Sequence, residues 1–326
     1  MIIKQIEQFI NKYNLLPPKS KIILGLSGGP DSVFLFHFLA KKHHNSSISL
    51  IAAHLDHEWR SDSYKDEQFC QKIAKKLNIP YISSKKSELD ITEKYNGSQE
   101  ELARKMRRHF FEAVRKNFNA DYIALAHHLQ DQQETLFIRL IRGATLTGLT
   151  AMQPKYANYI RPLLEINKQD IINYLQAHNI DYIKDPSNDS LAFLRNRIRH
   201  KVLPALQECD IRFDINFLAT LNRLQETENF LQQYTKTLFE QINYKENKRT
   251  SINLIQFFSF DITIQYRLLI YWLEKEKMPF LPTQNFLNEI IRFFKQPGSK
   301  EHHIHKQWKL VKKREIAHIR RYSTRI

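Results

Sequence analysis

Cysteine and glycine are both scarce in this 326-residue chain, and each scarcity is informative. The two cysteines, Cys70 and Cys209, lie far apart and form no C-x-x-C motif. A single chain of this kind has no disulfide framework, no four-cysteine zinc site and no cysteine-bound iron–sulfur cluster. Seven glycines make up about 2% of the chain, against about 7% in ordinary proteins. Three of them, Gly25, Gly28 and Gly29, fall within five positions, which concentrates backbone freedom at one turn.

Long apolar segments and an excess of acidic residues are also missing. No run approaches the roughly 18 apolar residues of a membrane span, and residues 1–14 are amphipathic, unlike a signal peptide. We therefore expect a cytoplasmic protein with no membrane partner. Lys and Arg number 50 against 34 Asp and Glu, which gives a formal net charge of +16 and favours phosphate-rich partners. The 42% hydrophobic content excludes a wholly disordered basic protein.

The first half of the chain alternates short β-rich runs with helical patterns. We predict strands over 22–26, 48–54, 80–83 and 122–127, alternating with helices over 31–42, 64–77, 98–117 and 131–142. This alternation indicates an α/β fold with a doubly wound, Rossmann-like parallel sheet. Ligands bind such sheets beyond the carboxyl ends of the strands, so the polar segments after Leu26, His54 and His127 are candidate sites.

Beyond Leu163 the pattern becomes helical, over 168–178, 216–242, 263–275 and 284–294, without intervening strands. The tail from Lys300 carries nine Lys or Arg against two Asp or Glu, and apolar residues flank its charged segment 312–315. This tail predicts a β-hairpin with a charged turn. We place a domain boundary near residue 214, so that residues 215–326 form a smaller, basic and mainly helical domain after the α/β domain 1–214.

The turn between the first strand and the first helix has the composition of a phosphate-binding loop. Its sequence is Ser27-Gly28-Gly29-Pro30-Asp31-Ser32. Glycines let backbone N–H groups turn toward a ligand, the helix N-terminus adds partial positive charge, and the two serine hydroxyls can donate as well. No Lys closes the loop, so it is not a Walker loop. A tight strand-to-helix turn without a ligand is the alternative interpretation.

This loop resembles the S-G-G-x-D-S pyrophosphate-binding loop of the ATP-pyrophosphatase, or PP-loop, family, which has an adenine-nucleotide α-hydrolase-like fold. Further motifs narrow the resemblance to the tRNA(Ile)-lysidine synthetase family. Residues 54–57, H-L-D-H, are similar to the start of that family's H-x-D-H-G-L-R, with Glu58 and Trp59 in place of Gly-Leu and with Arg60 retained. A metal site at the two histidines and a buried strand end are the alternatives.

Residues 97–108 resemble the family's N-x-E-x-x-A-R-x-x-R-Y stretch. Glu100 or Glu101 matches the acidic position, Arg104 and Arg107 match the arginines, and Arg108 stands where Tyr is usual. Arg107 and Arg108 are adjacent and lie three and four residues after Arg104, so the three arginines share one side of a helix. Guanidinium groups suit a bidentate phosphate clamp. A solvated charged face is the alternative.

Residues 127–135, H-H-L-Q-D-Q-Q-E-T, match the family's H-H-x-x-D-Q-x-E-T, with Gln130 where Asp is frequent. Asp131 and Glu134 are three apart and can face one site with His127, whereas helix capping by Asp131 is the alternative. The stretches 142–149, 161–164, 185–188 and 195–199 complete a resemblance that covers about residues 21–206. A solvated basic face is the alternative for the arginines of the last stretch.

The resemblance implies an ATP-dependent C–N ligase. Members join L-lysine to C2 of the wobble cytidine of tRNA(Ile) with a CAU anticodon, through an adenylated cytidine, and release AMP and diphosphate, so that the codon read changes from AUG to AUA. ATP and Mg²⁺ are the implied cofactors, and tRNA(Ile) and L-lysine are the implied partners. A homodimer is compatible with the sequence, which does not fix the oligomeric state.

The resemblance also implies roles for individual residues. Residues 27–32 and Asp56 would bind ATP, and Asp31 would also orient Mg²⁺. Asp31, Arg107, His127 and Asp131 would be catalytic. The expected contacts to lysine or tRNA are Arg104, Arg108, Glu134, Arg142, Arg195, Asn196 and Arg199. Domain 1–214 would then be the ATP-binding catalytic domain and 215–326 the tRNA-binding domain.

Two other hypotheses are compatible with the loop. Another PP-loop enzyme that thiolates tRNA would share it, but such enzymes need cysteine pairs or a cluster, and Cys70 and Cys209 are poor candidates. A basic RNA-binding protein with a relic nucleotide fold would not produce AMP from ATP.

Overall fold

The computed structural model describes residues 2–89, 99–184, 190–246, 249–280 and 282–321. The chain divides into two compact units, Met1–Leu224 and Gln225–Ile326. This division lies inside a helix, ten residues beyond the boundary that we placed near residue 214. No helix of the described residues is long and apolar enough to cross a bilayer.

The first unit is built on a six-stranded sheet. Its strand order is β3-β2-β1-β4-β6-β5, and all neighbouring pairs are parallel except β5 with β6. The elements, in chain order, are α1 (Ile2–Tyr13), β1 (Lys21–Gly25), α2 (Pro30–His44), β2 (Ser49–Asp56), α3 (Tyr64–Lys76), β3 (Tyr81–Lys85), a 3-10 turn (Lys86–Glu88), α4 (Gln99–Asn117), β4 (Tyr122–Ala124), α5 (Leu129–Ile141), α6 (Leu146–Leu149), β5 (Lys155–Tyr156), β6 (Tyr159–Ile160), α7 (Lys168–Ala177), α8 (Leu194–Arg197), a π-helical turn (Ile198–Val202), α9 (Leu203–Cys209) and α10 (Phe213–Ile242), which continues into the second unit.

Helices cover both faces of this sheet, which confirms the doubly wound α/β fold. Alternate residues of β1 enter different apolar layers: Ile22 and Leu24 pack in the layer that contains α2 and α7, and Ile23 packs in the layer that contains α4. Central strands buried on both faces read as continuous apolar runs, and this is why β1 was predictable.

The strand order creates a crevice between β1 and β4. The chain moves from β1 to β2 and β3 on one side, and then crosses through α4 to β4 on the other side of β1. The loops after β1 and β4 therefore diverge, and open α/β sheets bind ligands at such a point. The predicted strand 122–127 ends earlier than expected, at Ala124, so residues 125–128 form the loop above this crevice.

The second unit combines helices with an antiparallel sheet. It contains the end of α10, then β7 (Asn243–Glu246), β8 (Arg249–Asn253), α11 (Leu254–Ser259), α12 (Ile262–Lys275), α13 (Gln284–Lys295), β9 (Lys300–His305), β10 (Trp308–Lys313) and β11 (Ile316–Arg321). The strand order is β7-β8-β11-β10-β9. Its core includes Phe239, Trp272, Phe294, Leu310 and Ile319.

Two expectations for this unit were incomplete or wrong. The predicted hairpin exists as β10 and β11, but it belongs to a five-stranded sheet. The expectation that no strands separate the helices was wrong, because β7 and β8 lie between α10 and α11. These two strands are mostly polar and have no apolar run to signal them. The charged turn between β10 and β11 comprises only residues 314–315, and Lys312 lies within β10.

Lys312 is a buried lysine that joins the tail to α13. Its ammonium group donates hydrogen bonds to the carbonyl oxygens of Phe294 and Gln296, at the end of that helix. Cations are favoured at helix C-termini, where carbonyl groups lack partners within the helix.

We expect Lys312→Met to lower the free energy of unfolding by about 1–3 kcal/mol, because the buried carbonyl group of Phe294 and the carbonyl group of Gln296 lose their charged donor. Lys313→Met is the matched control, since Lys313 is exposed on the same strand. Its effect should stay within about 0.5 kcal/mol. Urea denaturation of the full-length chain measures both, and equal effects would contradict a specific role for Lys312.

Candidate active site

The loop after β1 is closed by its own serines. Ser32 Oγ donates to the Gly29 carbonyl oxygen (3.0 Å) and accepts the Ser27 N–H (3.2 Å), and the two serine hydroxyls are 3.1 Å apart. Pro30 begins α2 immediately afterwards, a position that proline favours because its φ is already helical. The loop is therefore fixed before any ligand binds.

The two glycines of the loop have different reasons to be glycine. Gly28 has φ +83°, and a Cβ there would lie 2.8 Å from Ile183 Cδ1. Gly29 has an ordinary φ of −70°, and a Cβ would meet only Ser27 Oγ, at 3.6 Å, among the described atoms within 4 Å. Gly28 is thus required by the fold, whereas Gly29 leaves open space at the start of α2.

A histidine joins two carboxylates across the crevice. His128 Nε2 lies 3.6 Å from Asp31 Oδ2, on α2, and 3.5 Å from Asp131 Oδ2, on α5. Asp131 also accepts the His128 backbone N–H (3.0 Å), so it caps α5 as well as facing the crevice. The second oxygen of Asp31, Oδ1, is buried and has no hydrogen-bond partner among the described residues.

The two adjacent histidines have opposite electrostatic environments. Burial disfavours a charged His128, but the carboxylates of Asp131 and Asp31 outweigh burial and raise the pKa of His128 above its usual value. In return, and against the effect of burial, His128 holds the pKa of both Asp31 and Asp131 below the usual range. Burial and the charges of Arg161, Arg107 and Arg195 outweigh Asp131 and lower the pKa of His127 to about 4.

A second charged cluster follows on α5. Glu134 is fully buried, and Arg199 Nε donates to its Oε1 at 2.6 Å. Arg195 Nη1 lies 3.6 Å from Glu134 Oε2 and 3.8 Å from Asp131 Oδ1. Burial and the charge of Asp131 outweigh the two arginines and raise the pKa of Glu134. Carboxylate and guanidinium groups thus alternate along one wall, a pattern that suits a ligand carrying both signs of charge.

The predicted arginines of α4 lie on its exposed side. Arg107 contributes to the low pKa of both His57 and His127, which places its charge near the ends of β2 and β4. Arg108 lies over the ring of Tyr159, with 5.7 Å between the guanidinium carbon and the ring centroid. The charge of Arg104 adds to burial in lowering the pKa of Arg161 to about 10.

Two predicted residues have structural contacts in this structure, and a third lies away from the crevice. Both oxygens of buried Asp56 are used by its own loop, since they accept the Glu58 N–H (2.8 Å) and the Ser63 hydroxyl (3.0 Å). Buried Asn196 donates to the Ser190 carbonyl (2.8 Å). Arg142 is exposed at the far end of α5, about 16 Å along the helix from Asp131 at 1.5 Å per residue. The 185–188 motif lies outside the described residues.

Two basic residues near the site, Lys168 and Arg161, have no role predicted from the sequence. Lys168 begins α7, its backbone N–H donates to Gln130 Oε1 (3.0 Å), and its Nζ lies 3.5 Å from Asp31 Oδ2. Gln130, which stands where an acidic residue was expected, therefore positions a lysine. Arg161 is buried after β6 and donates to the Gln153 carbonyl (2.9 Å). Only its place in the 161–164 motif could have pointed to it.

Comparisons with known proteins identify the family to which the chain belongs. A family model described as a PP-loop domain matches residues 1–206. A protein of Bacillus cereus named tRNA(Ile)-lysidine synthase is 32% identical over 306 residues, 90% of this chain and 64% of the relative. One of the same name from Clostridium tetani is 31% identical over 87% of this chain and 56% of its own length. The chain thus spans less than two thirds of these curated relatives.

One solved structure supports the fold alone. The U34-tRNA thiolase NcsA from Methanococcus maripaludis, solved with its 4Fe-4S cluster, superposes with a TM-score of 0.58. It is 20% identical, and the match covers 69% of this chain and 78% of the thiolase.

The opposite environments of the adjacent histidines can be measured directly. We expect the ring protons of His127 to titrate near pH 4, whereas those of His128 titrate above the ordinary value of about 6.5. Proton NMR from pH 3 to pH 9 tests this, with His127→Gln and His128→Gln to assign the signals. Two titrations near pH 6.5 would contradict the charge arrangement.

Proposed function

The chain belongs to the PP-loop domain family, and from this premise we propose that it is an ATP-dependent ligase of tRNA. It joins L-lysine to C2 of the wobble cytidine of tRNA(Ile) with a CAU anticodon, and it forms AMP and diphosphate. The observation that carries the proposal is the position of the alternating Asp131, Glu134, Arg195 and Arg199 cluster across a crevice from the loop 27–32. The relatives named tRNA(Ile)-lysidine synthase support it.

The proposed reaction has two bond exchanges. First, the cytidine O2 attacks the α-phosphorus of ATP, and the bond to diphosphate breaks. The lysine ε-amine then attacks C2, the C2–O2 bond breaks, and AMP leaves. Adenylation is needed because the carbonyl oxygen is otherwise a poor leaving group. The ammonium group of lysine, with a reference pKa of about 10.4, must lose a proton before the second step.

The loop 27–32 and the start of α2 are assigned to the phosphates. Backbone N–H groups at a helix N-terminus bind phosphate well, and the open space at Gly29 admits a phosphate oxygen. The ammonium group of Lys168 lies beside Asp31, so it can pair with a phosphate in place of that carboxylate when ATP binds. On this assignment Arg107 stabilises charge that develops on the phosphate during transfer.

Mg²⁺ fits this site in one respect. Asp31 Oδ1 is buried without a partner, and Mg²⁺ is commonly held by one or two carboxylates together with substrate phosphates. Among the described residues no group of three metal-binding side chains forms a dedicated cage. Bound there with ATP, Mg²⁺ would neutralise phosphate charge, and Asp31 would hold it.

The second cluster is assigned to lysine. The carboxylates of Asp131 and Glu134 attract its amino groups, and Arg195 is placed to pair with its carboxylate. His127 is uncharged at neutral pH, and its buried Nδ1 has no partner among the described residues, so it can accept a hydrogen bond or a proton. Arg199 donates to Oε1 of Glu134, whereas Arg195 faces Oε2, so Arg199 holds that carboxylate in place.

The basic surfaces are assigned to tRNA. Arg104 and Arg108 are exposed on α4, Arg142 is exposed at the end of α5, and residues 215–326 carry the basic tail. Phosphate contacts of this kind supply affinity and position the RNA. A cytoplasmic location, where tRNA is modified, is part of the proposal.

The thiolation hypothesis is disfavoured by the position of Cys70. This thiol is buried under the loop, 3.7 Å from the Leu26 carbonyl oxygen, and burial raises its pKa strongly. A reactive cysteine needs the opposite environment, one that favours the thiolate.

The proposal predicts ATP-dependent incorporation of labelled lysine into bulk bacterial tRNA. Asp31→Asn should reduce it by about 100-fold or more, because the carboxylate that would hold Mg²⁺ at the phosphates is lost. Diphosphate release reports the first step and AMP release the second, so measuring both products in the same reactions separates the steps. Released AMP without labelled tRNA would indicate another nucleophile, and the absence of both from folded protein would contradict the proposal.

The two loop glycines provide a matched pair. Gly29→Ala should leave the melting temperature nearly unchanged but weaken ATP binding, because the added methyl group enters the space assigned to phosphate. Gly28→Ala should instead lower the free energy of unfolding by about 1–3 kcal/mol, through a positive φ and overpacking. Calorimetric ATP titration and thermal unfolding measure these effects. ATP affinity unchanged in Gly29→Ala would remove the loop from phosphate binding.

A further inference from the structure

An exposed tryptophan stands on the loop that follows β2, beside the candidate site. Trp59 is 50% exposed, whereas the other two tryptophans, Trp272 and Trp308, are 0% and 8% exposed. Its ring stacks on His57, with centroids 4.9 Å apart and an interplanar angle of 22°. Burial of one face against an imidazole leaves the opposite face of a flat, electron-rich ring available to solvent.

The backbone that carries this ring is held in place by side chains. Glu58 has φ +53°, an uncommon conformation for a residue with a Cβ, at the position where the pattern H-x-D-H-G-L-R has glycine. Its carboxylate accepts the Ser87 N–H (2.8 Å) and the Ser87 hydroxyl (3.0 Å). Arg60, on the other side of Trp59, pairs with Asp66 at 2.5 Å. Trp59 is therefore displayed by a loop anchored on both sides.

Two cationic side chains lie near the stacked pair. Burial is the largest influence on the pKa of His57. Together with the charges of Arg107 and Lys86 it outweighs the carboxylate of Asp56 and lowers that pKa to about 4, so the imidazole is neutral at pH 7. A planar ring flanked by arginine and lysine has the composition of sites that bind unpaired nucleotides, where the base stacks and the cations contact phosphate. His54, three residues before His57, forms a hydrogen bond through Nδ1 with the Leu26 carbonyl oxygen (2.9 Å). This contact joins β2 to the start of the loop 27–32.

We propose that the His57–Trp59 pair, with its anchored loop, is a stacking platform for a nucleobase. The proposal rests on the proposed function in one respect: the base belongs to ATP or to an unpaired nucleotide of the RNA substrate. Aromatic stacking accepts any base, so the platform contributes affinity and orientation, and hydrogen bonds elsewhere decide identity.

The fluorescence of Trp59 provides a direct test, because it is the exposed one of the three tryptophans. Titrations of the full-length wild-type chain use ATP, AMP and a seven-nucleotide single-stranded RNA, each added alone, with Trp59→Phe as the blank for absorption and for the buried tryptophans. Quenching of Trp59 by ATP and AMP would identify the adenine as the stacked base. Quenching by the RNA alone would identify a base of the substrate. No quenching by any of them would overturn the platform.

Affinity supplies the second measurement. Trp59→Leu should weaken binding of the quenching ligand by about 5- to 100-fold, whereas Trp59→Phe should lose less. Tyr64→Leu is the matched control, since Tyr64 is an exposed aromatic (49%) outside the stack. The affinity of this variant for the same ligand should stay unchanged. Thermal unfolding checks that each variant is folded. Wild-type affinity in Trp59→Leu would also overturn the platform.

The labelled-lysine assay of the wild-type chain separates this proposal from the proposed function. Lysine incorporation without Trp59 quenching would overturn only the platform. Quenching without lysine incorporation would overturn only the assigned reaction and leave the nucleobase platform supported.

Discussion

The contact on which the candidate site depends is the bridge from His128 to Asp31 and Asp131. It joins the first turn of α2, which follows β1, to the first turn of α5, which follows β4. These two strands are neighbours in the sheet, but the chain leaves them in opposite directions, so the bridging side chains join the walls of the crevice above them. The imidazole between two carboxylates joins the two walls, and its interaction with both acids holds their pKa values below the usual range.

This arrangement explains how a strongly basic chain contains an acidic site. The formal net charge is +16, yet the floor of the crevice is made of Asp31, Asp131 and Glu134. Each carboxylate has a cationic neighbour: Lys168 for Asp31, Arg195 for Asp131 and Arg199 for Glu134. Buried charges are tolerated when they are paired. Ligands of either sign can replace one member of a pair, as binding both a nucleotide and an amino acid would require.

The departures from the family pattern have structural consequences of their own. Gln130, in place of an acidic residue, binds the backbone of Lys168 and so supports a cation beside Asp31. Glu58, in place of glycine, keeps a glycine-like backbone and gains an anchor at Ser87. At both positions the side chain that departs from the pattern has a hydrogen-bond partner on another element of the chain.

The strand and helix alternation, the phosphate-type loop and the motif positions were evident from sequence, because apolar periodicity, glycine clustering and residue spacing are local properties. The doubly wound sheet followed from them, but polar β7 and β8 did not, since no apolar run marks them. Only the tertiary structure brought Arg199 to Glu134 and Lys168 to Asp31, pairs that are 65 and 137 residues apart. It also decided that the pKa of His127 is lowered to about 4 while that of His128 is raised, although the two residues are adjacent. A pKa depends on burial and on the charges within a few ångströms, and the fold determines both.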